Sequence, residues 1–349
     1  MDRPVWCGES NERCGVEQRQ LGRAGVRVSE LGLGTMTFGR ECDEATSRTI
    51  LDRFIDAGGN FVDTANNYGE PAGASETILG RVLAGRRDQV VLATKVRFST
   101  GDGANDRGLS RRHVRMGVDA SLRRLQTDWI DLLQVHSWDP TTPLVETLST
   151  LDDLVRTGKV RYIGASNFTG WQLATANGLA GQHSWEPFIS YQGNYSLVGR
   201  ELEREVLPYC AYAGLGVLPY GPLGGGLLTG KYRRGEPPSE GTRAAGEGLI
   251  AEGMNRRMTE RAFATADVVR SIAAESGRTP AQVALNWVTN RPQVTSSLVG
   301  ARTVDQLEDN LGSVGWRIDP LHLDRLEQSS RVSLGYPQEF QRWMADIGM

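Results

Sequence analysis

The alternation of short apolar runs with helical patterns is the feature that most constrains the fold of this chain. Eight runs, rich in β-branched residues, are apolar on consecutive positions, as strands buried on both faces are. They lie at 29–35, 60–65, 90–96, 130–136, 160–167, 188–194, 215–222 and 295–301. Between them the sequence shows helical patterns, several with a Ser, Thr or Asp start signal or a closing glycine, for example at 43–58, 110–125, 143–158 and 199–214.

Eight strand and helix units predict an α/β fold, a single (β/α)8 TIM barrel. The competing arrangement is a doubly wound open sheet, which normally carries G-x-G-x-x-G after its first strand. Here the first strand offers only G-x-G at 32–34, which favours the barrel. We assign residues 19–349 to this domain, with extension helices at its C-terminal end, and residues 1–18 to a flexible N-terminal arm.

Charge and hydropathy narrow the class of protein. The 349 residues include 39 basic and 42 acidic side chains, a net charge of −3, which is not the charge of a nucleic-acid binder. The sequence contains no run of 18 apolar residues and does not start like a signal peptide, so we expect no membrane span and a cytoplasmic protein. The expected partner is a small molecule, and no pattern in the sequence specifies an oligomeric state.

Four ionisable residues stand where barrel strands end. Asp63 and Tyr68 belong to the second strand and the loop after it, Lys95 ends the third strand, and His136 ends the fourth. Barrel active sites form at this end of the strands, so the four side chains should meet at one mouth. Each alone has an ordinary explanation, as a capping aspartate, a packed tyrosine or a core histidine. Together they form a set whose members tune one another.

Such a set suits proton donation to a carbonyl oxygen. A free tyrosine has a pKa of about 10, and a nearby ammonium should lower it by stabilising the phenolate. Lys95 fits that role, because the chain uses only three lysines among its 39 basic residues and this one ends a buried strand. Asp63 would hold the lysine and His136 would orient the substrate oxygen. A hydride donor is then the missing partner.

The motifs FVDTANNYG, VLATKV, DLLQVH, YIGASNF and PLGGGLLTGKY occur in this order between about residues 20 and 326. In this respect the chain resembles the aldo-keto reductases. The resemblance implies a single (β/α)8 barrel that reduces aldehydes and ketones with NADPH and without a metal. It also implies that the family's catalytic tetrad corresponds to Asp63, Tyr68, Lys95 and His136.

The resemblance further assigns cofactor contacts. Asn167 and Ser166 would bind the nicotinamide carboxamide beside Gln192, and Tyr220 would stack on the nicotinamide ring. The glycine-rich loop with Lys231 would hold the pyrophosphate, and Arg302 at a helix start would meet the 2′-phosphate, which favours NADPH over NADH. The remaining predicted contacts are Thr35, Met36, Gly221, Pro222, Leu223, Gly225, Leu227, Thr229, Arg243, Gly300, Gln306, Asp309 and Asn310.

Two further segments have alternative interpretations. Residues 233–253 are polar and rich in Gly and Pro, so they form either a loop that folds over the cofactor, with Arg243 on a phosphate, or a disordered surface insertion. The substrate pocket is predicted to have an apolar lip formed by Met36, Trp138 and, from the C-terminal tail, Trp343. Alternatively, the tail is a helix packed on the barrel's outer wall.

The sequence supports three functions. The first is an NADPH-dependent carbonyl reductase. The second is an NADP(H)-binding regulatory subunit similar to the β subunits of voltage-gated potassium channels, in which an amide replaces the tetrad histidine; His136 argues for catalysis. The third is a reductase restricted to keto-sugars or other secondary metabolites, suggested by the excess of arginine over lysine.

Overall fold

A computed structural model describes residues 15–348 of the chain. It contains ten strands: β1 (Gln18–Gln20), β2 (Arg27–Ser29), β3 (Leu31–Gly34), β4 (Phe61–Asp63), β5 (Val91–Val96), β6 (Ile130–Val135), β7 (Val160–Ser166), β8 (Ser190–Asn194), β9 (Gly216–Tyr220) and β10 (Ser297–Val299).

The described residues also form twelve α-helices and three short 3-10 helices. The α-helices are α1 (Glu44–Asp56), α2 (Ala74–Val82), α3 (Arg111–Leu125), α4 (Leu144–Arg156), α5 (Gly170–His183), α6 (Val206–Ala213), α7 (Gly248–Arg257), α8 (Glu260–Ser276), α9 (Pro280–Thr289), α10 (Val304–Leu311), α11 (Pro320–Ser330) and α12 (Gln338–Asp346). The 3-10 helices are Arg87–Gln89, Glu201–Glu203 and Gly224–Thr229.

Strands β3 to β10 form a closed barrel, which confirms the predicted fold. Each strand pairs in parallel with the next, and β10 pairs with both β9 and β3. Leu298 joins the two ends of the sheet, since it is in register with Tyr220 on one side and with Gly32 on the other. The closure leaves no free sheet edge and rules out the doubly wound alternative. All eight strands predicted from apolar runs are present.

The hairpin formed by β1 and β2 closes the N-terminal end of the barrel. Its residues Leu21 and Val28 are fully buried and pack with Phe61 and Leu132 from the barrel strands. Val16 is also buried, against Leu31. Of the predicted N-terminal arm, residues 1–14 lie outside the described residues, and the division of the chain into arm and domain stays a prediction.

The helix predicted over 199–214 is interrupted. The structure has a 3-10 turn at Glu201–Glu203 and a separate helix, α6, which begins at Val206. Pro208 explains the break, because a proline clashes with the carbonyl four residues earlier and cannot donate a backbone hydrogen bond. It is tolerated only because it lies in the first turn of α6.

Residues 233–253 are not a structureless insertion. The segment contains the start of α7, and its residue Ala244 is buried with Tyr232, Phe263 and Met254 of the same helix in a separate apolar cluster. Ala251, three residues before Met254, is buried on the same helix. This packing fixes the segment beside the loop that follows β9.

Helices α11 and α12 extend the chain beyond the barrel, as predicted. Helix α11 packs on α8, whereas α12 has no buried side chain. Across residues 15–348, no helix is both long enough and apolar enough to cross a membrane.

Candidate active site

A buried ion pair lies at the C-terminal end of the barrel strands. Lys95 is the penultimate residue of β5 and is fully buried, and Asp63 ends the adjacent strand β4 with 3% of its surface exposed. The Lys95 ammonium pairs with Oδ1 of Asp63 and donates a second hydrogen bond to the carbonyl of Thr64 at 2.9 Å. Burial alone would neutralise a lysine, so this pairing is what keeps Lys95 charged.

The second oxygen of Asp63 accepts two amide hydrogen bonds. Gln134 Nε2 lies 3.1 Å from Oδ2 and Gln192 Nε2 lies 2.9 Å from it. The prediction assigned Gln192 to the cofactor, whereas its amide here holds Asp63. Gln134 was missed, although it lies two residues before His136 on β6 and so faces the same side of the strand. The carboxylate is therefore bonded on both oxygens and fixed in orientation.

The pKa of Lys95 reflects two opposing effects. Burial disfavours its charge, but attraction to Asp63, with a smaller contribution from Tyr68, outweighs burial and raises the pKa above that of an ordinary lysine. The group is therefore an ammonium at neutral pH, which is the state that the proposed chemistry needs.

Tyr68 lies above this ammonium. Its hydroxyl is 3.5 Å from Lys95 Nζ, and the ammonium lies 4.9 Å from the centre of its ring. The expectation that Lys95 lowers the pKa of Tyr68 below its ordinary value is wrong for the structure. Lys95 acts in that direction, but burial of the phenol acts more strongly and the pKa is raised. The phenol is therefore protonated and able to donate at neutral pH.

A second ion pair, with a fully buried carboxylate, supports the loop that carries Tyr68. Glu76 is fully buried at the start of α2; it accepts hydrogen bonds from Arg124 Nε at 2.8 Å and from Thr94 Oγ1 at 2.5 Å. Arg124 also packs against Gly73, which has a φ of 88°, so a side chain there would be strained and would collide with the guanidinium. The backbone N–H of Gly73 bonds to the Tyr68 carbonyl at 3.1 Å.

His136 completes the predicted tetrad at the same mouth. It is 8% exposed, and its ring centroid lies 5.8 Å from that of Tyr68 and 4.6 Å from that of Phe98. Burial, then the positive charges of Lys95 and Arg97, holds the pKa of His136 well below its usual value. The imidazole is therefore neutral. Its Nδ1 is buried without a hydrogen-bond partner in the described part of the chain.

The residues predicted to bind the nicotinamide lie beside His136. Asn167 adopts a left-handed backbone conformation, with a φ of 55°, that asparagine tolerates. Its amide donates to the His136 carbonyl and to Ser166 Oγ, each at 3.0 Å, and its Oδ1 accepts from the Tyr220 hydroxyl at 2.9 Å. The structure thus brings Ser166, Asn167 and Tyr220 together, with the Asn167 amide fixed at the barrel mouth.

A cavity of about 320 Å³ lies between the loop after β9 and the end of β10. Most of the predicted cofactor contacts line it. They are Gly221, Pro222, Leu223, Gly225, Thr229, Lys231, Arg243, Gly300, Arg302, Gln306, Asp309 and Asn310. The lining residues that sequence reasoning missed are Thr37, Ala281, Leu298, Val299 and Ala301. Gly226, which also lines the cavity, belongs to the glycine-rich loop that was predicted to hold the pyrophosphate.

Three cations converge on this cavity. Burial and the charges of Arg243 and Arg302 lower the pKa of Lys231, and burial together with Arg302 lowers the pKa of Arg243. The Lys231 side chain lies across Gly226, which has a φ of 99° and no room for a Cβ. Positive groups held together against their mutual repulsion, beside a glycine-rich backbone, fit the phosphates of a dinucleotide.

Arg302 bridges the two sides of the cavity mouth. Its guanidinium donates to the Gly241 carbonyl at 3.0 Å and lies 3.6 Å from Glu41 Oε1. Glu41 is itself held by Arg40, with contacts of 2.7 and 2.8 Å. Segment 233–253 therefore reaches across the cavity through Gly241, with Arg243 in the cavity wall.

Three predicted site residues lie elsewhere. Thr35 is buried, where its hydroxyl contacts the Asp63 carbonyl and Ser75, and the Leu227 side chain is buried in the apolar cluster with Met254. Trp343 is 55% exposed on α12 and packs only on Phe340 among the aromatic residues described. The side chains of Thr35 and Leu227 are turned into the packed interior, which a sequence motif does not show.

The residues of the predicted apolar lip lie in different surroundings. Trp138 packs on Phe168 and Trp171, with ring centroids 5.3 and 5.5 Å apart, and not on Trp343. Helix α12 has no buried side chain to hold it either at the mouth or on the outer wall. Met36, two residues after β3, is partly exposed. Among residues 15–348, no cluster of His, Cys, Asp and Glu has the arrangement of a metal site.

A (β/α)8 barrel whose mouth holds a buried lysine and aspartate beneath a tyrosine and a neutral histidine belongs to the class of barrel oxidoreductases. Comparison with known proteins identifies the family. The profile described as "Aldo/keto reductase family" matches residues 30–331. The chain therefore belongs to the aldo/keto reductase family.

Similar proteins include both enzymes and a channel subunit. The uncharacterized oxidoreductase YrpG of Bacillus subtilis is 42% identical over 87% of this chain and 93% of its own length. The norsolorinic acid reductase stcV of Emericella nidulans is 38% identical over 91% of this chain and 82% of its own length. A probable voltage-gated potassium channel subunit beta of Arabidopsis thaliana is 34% identical over 93% of this chain and its full length.

Proposed function

We propose that this chain reduces an aldehyde or a ketone to the alcohol with NADPH, in the cytoplasm. The observation that carries the proposal is the contact of the Tyr68 hydroxyl with the buried ammonium of Lys95, beside a neutral His136 at the same mouth. The cations of the neighbouring cavity and the fixed amide of Asn167 fit a nicotinamide dinucleotide. A bound nicotinamide supplies the hydride.

Tyr68 supplies the proton. A substrate carbonyl oxygen would accept hydrogen bonds from the Tyr68 hydroxyl and from an N–H of the neutral imidazole, which holds it in position without adding charge. As negative charge develops on that oxygen, the Tyr68 proton moves to it and Lys95 stabilises the phenolate that remains. Asp63, fixed by Gln134 and Gln192, keeps the ammonium in place.

Three cations support the proposed preference for NADPH. Lys231, Arg243 and Arg302 give the cavity more positive charge than a pyrophosphate alone requires, and Arg302 precedes the capped start of α10. Thr303 Oγ1 and Gln306 Oε1 already accept backbone N–H groups there, at 3.2 and 2.9 Å. The 2′-phosphate would therefore meet chiefly the guanidinium of Arg302.

Two alternatives draw support from relatives. The Arabidopsis protein named as a potassium channel subunit supports a regulatory role, and the norsolorinic acid reductases, named for one substrate, support the narrower hypothesis of a reductase restricted to keto-sugars or secondary metabolites. Under the first, the protein would bind NADPH tightly without turnover. Under the second, it would turn over few carbonyl compounds.

The test measures loss of NADPH absorbance with aldehydes, α-dicarbonyls, ketones and keto-sugars, for the wild type and for Tyr68→Phe. We expect turnover by the wild type that falls at least about 100-fold in the variant, while the NADPH dissociation constant changes little. The urea midpoint of the variant checks that it is folded. Turnover retained in Tyr68→Phe would refute the role of Tyr68, and absence of NADPH binding would refute the cofactor assignment.

A further inference from the structure

Arg97 is a strained residue beside the candidate catalytic groups. It follows β5 directly, two positions after Lys95, and begins the loop at the barrel mouth. Its φ is 149°, a region that glycine adopts readily and other residues rarely do. The loop holds this conformation, since the Gly108 backbone N–H donates to the Arg97 carbonyl at 2.8 Å. Strain of this kind is often found at ligand sites.

The Arg97 guanidinium has few acceptors. Within the part of the chain described, its side chain makes one long hydrogen bond, from Nη2 to the Trp138 carbonyl at 3.4 Å, and no carboxylate lies within ion-pair distance. Nε is buried and has no partner there. A guanidinium has five N–H donors, and burying a donor without an acceptor is costly. Arg97 therefore has donors available for an acceptor from outside the chain.

Phe98 separates this guanidinium from His136. The Arg97 Cζ atom lies 5.0 Å from the centre of the Phe98 ring, and that ring lies 4.6 Å from the imidazole ring in an edge-on arrangement. The positive charge of Arg97 is also felt at the imidazole, where it helps to lower the pKa of His136. An anion on Arg97 would thus lie about one aromatic ring away from a carbonyl held by His136.

We infer that Arg97 binds a carboxylate of the substrate, so that the preferred substrate is an aldehyde or ketone that carries a carboxylate a few carbon atoms from the carbonyl. The planar guanidinium matches a carboxylate through two parallel hydrogen bonds. The Phe98 ring offers an apolar surface for the atoms between the two groups. This inference rests on the proposed reductase function and adds the substrate class to it.

The test compares 4-formylbenzoate with its neutral methyl ester in the wild type, Arg97→Gln and Arg97→Lys. Arg97→Gln should lower kcat/KM for 4-formylbenzoate about 10- to 100-fold and leave the ester within about 2-fold. Arg97→Lys should recover part of the loss, since lysine restores the charge but not the two parallel hydrogen bonds of the guanidinium. Arg123→Gln is the matched control, because it removes an arginine from the exposed C-terminal turn of α3. It should affect neither substrate.

A binding measurement separates this inference from the proposed function. The Tyr68→Phe variant loaded with NADP⁺ does not turn over. In this variant the dissociation constants of 4-formylbenzoate and of its methyl ester are measured with and without Arg97→Gln. Weakening of about 10-fold or more for the acid alone would support the carboxylate site even if the wild type reduced neither aldehyde. An equal loss for acid and ester, or no loss for either, would overturn it, and Arg97 would then serve only to shape the loop.

Discussion

Replacing Asp63 by asparagine should destabilise the protein in a way that depends on pH. The change leaves the side-chain volume almost unaltered but removes the charge that compensates Lys95, which is fully buried. Removing one partner of a buried ion pair costs about 3–5 kcal/mol of unfolding free energy at pH 7. The chain offers a matched control in Lys159 and Asp119, a pair of the same residue types with each side chain 44% exposed. Asp119→Asn should cost no more than about 1 kcal/mol.

The sign of the pH dependence distinguishes this cause from a general loss of packing. In the folded wild type the pKa of Lys95 is raised. Its contribution to the unfolding free energy is therefore fully present below the pKa of the unfolded chain, about 10.4, and is lost only as pH rises through the pKa of the folded protein. In Asp63→Asn, burial dominates and the folded pKa falls below the unfolded value. The folded variant then sheds a proton that the unfolded chain keeps, so its stability rises with pH in that window.

The assay is urea unfolding followed by circular dichroism at pH 7.0 and at pH 9.5, for the wild type, Asp63→Asn and Asp119→Asn. We expect the unfolding free energy of Asp63→Asn to lie below that of Asp119→Asn at pH 7.0, and this deficit to be smaller at pH 9.5. A deficit below about 1 kcal/mol at pH 7, or one that stays constant or grows with pH, would show that Lys95 is not held as a buried charge by Asp63.

Three further predictions concern the cofactor cavity. Because the pKa of Lys231 is lowered, NADPH affinity should begin to fall at a lower pH than it would with an ordinary lysine. Lys231→Arg should remove that pH dependence, and titrations between pH 7 and pH 10 would test both expectations. Glu41→Gln should free Arg302 and tighten NADPH, but not NADH, by about 2- to 5-fold in fluorescence titrations. Gly226→Ala should weaken NADPH binding at least about 10-fold by displacing Lys231. Gly178→Ala, a helical site with open space, should leave the dissociation constant unchanged.

The sequence was sufficient to predict the fold and the grouping of four ionisable side chains at one mouth of the barrel. Few architectures accommodate eight apolar runs that alternate with helices. The C-terminal ends of barrel strands lie at one mouth, so Asp63, Lys95 and His136 could be grouped from the sequence alone. The rarity of lysine helped as well. Of the three lysines, Lys95 and Lys231 lie at the site, and Lys159 forms a surface pair.

The network around Asp63 could not be predicted from the sequence. Gln134 and Gln192 come from two different strands, and only the register of β6, β7 and β8 brings both amides to one carboxylate oxygen. The pKa of Tyr68 was misjudged for a related reason. Sequence spacing identifies the ammonium that lowers it, but not the extent of burial that raises it more. Distances and burial are properties of packing, which a sequence motif does not contain.

The mouth of the barrel contains two kinds of cation, one paired with a carboxylate of the chain and the other not. The Lys95 ammonium is matched by Asp63 and therefore acts on Tyr68 without attracting an anion of its own. Arg97 and Lys231 are not neutralised in this way. Arg97 has no carboxylate partner in the part of the chain described, and the pKa of Lys231 is lowered by burial and by the charges of Arg243 and Arg302. Unmatched charge is costly unless a ligand supplies the counter-charge. The unmatched cations Arg97 and Lys231 thus indicate where the anionic ligands bind. The matched cation Lys95 indicates the proton donor, Tyr68.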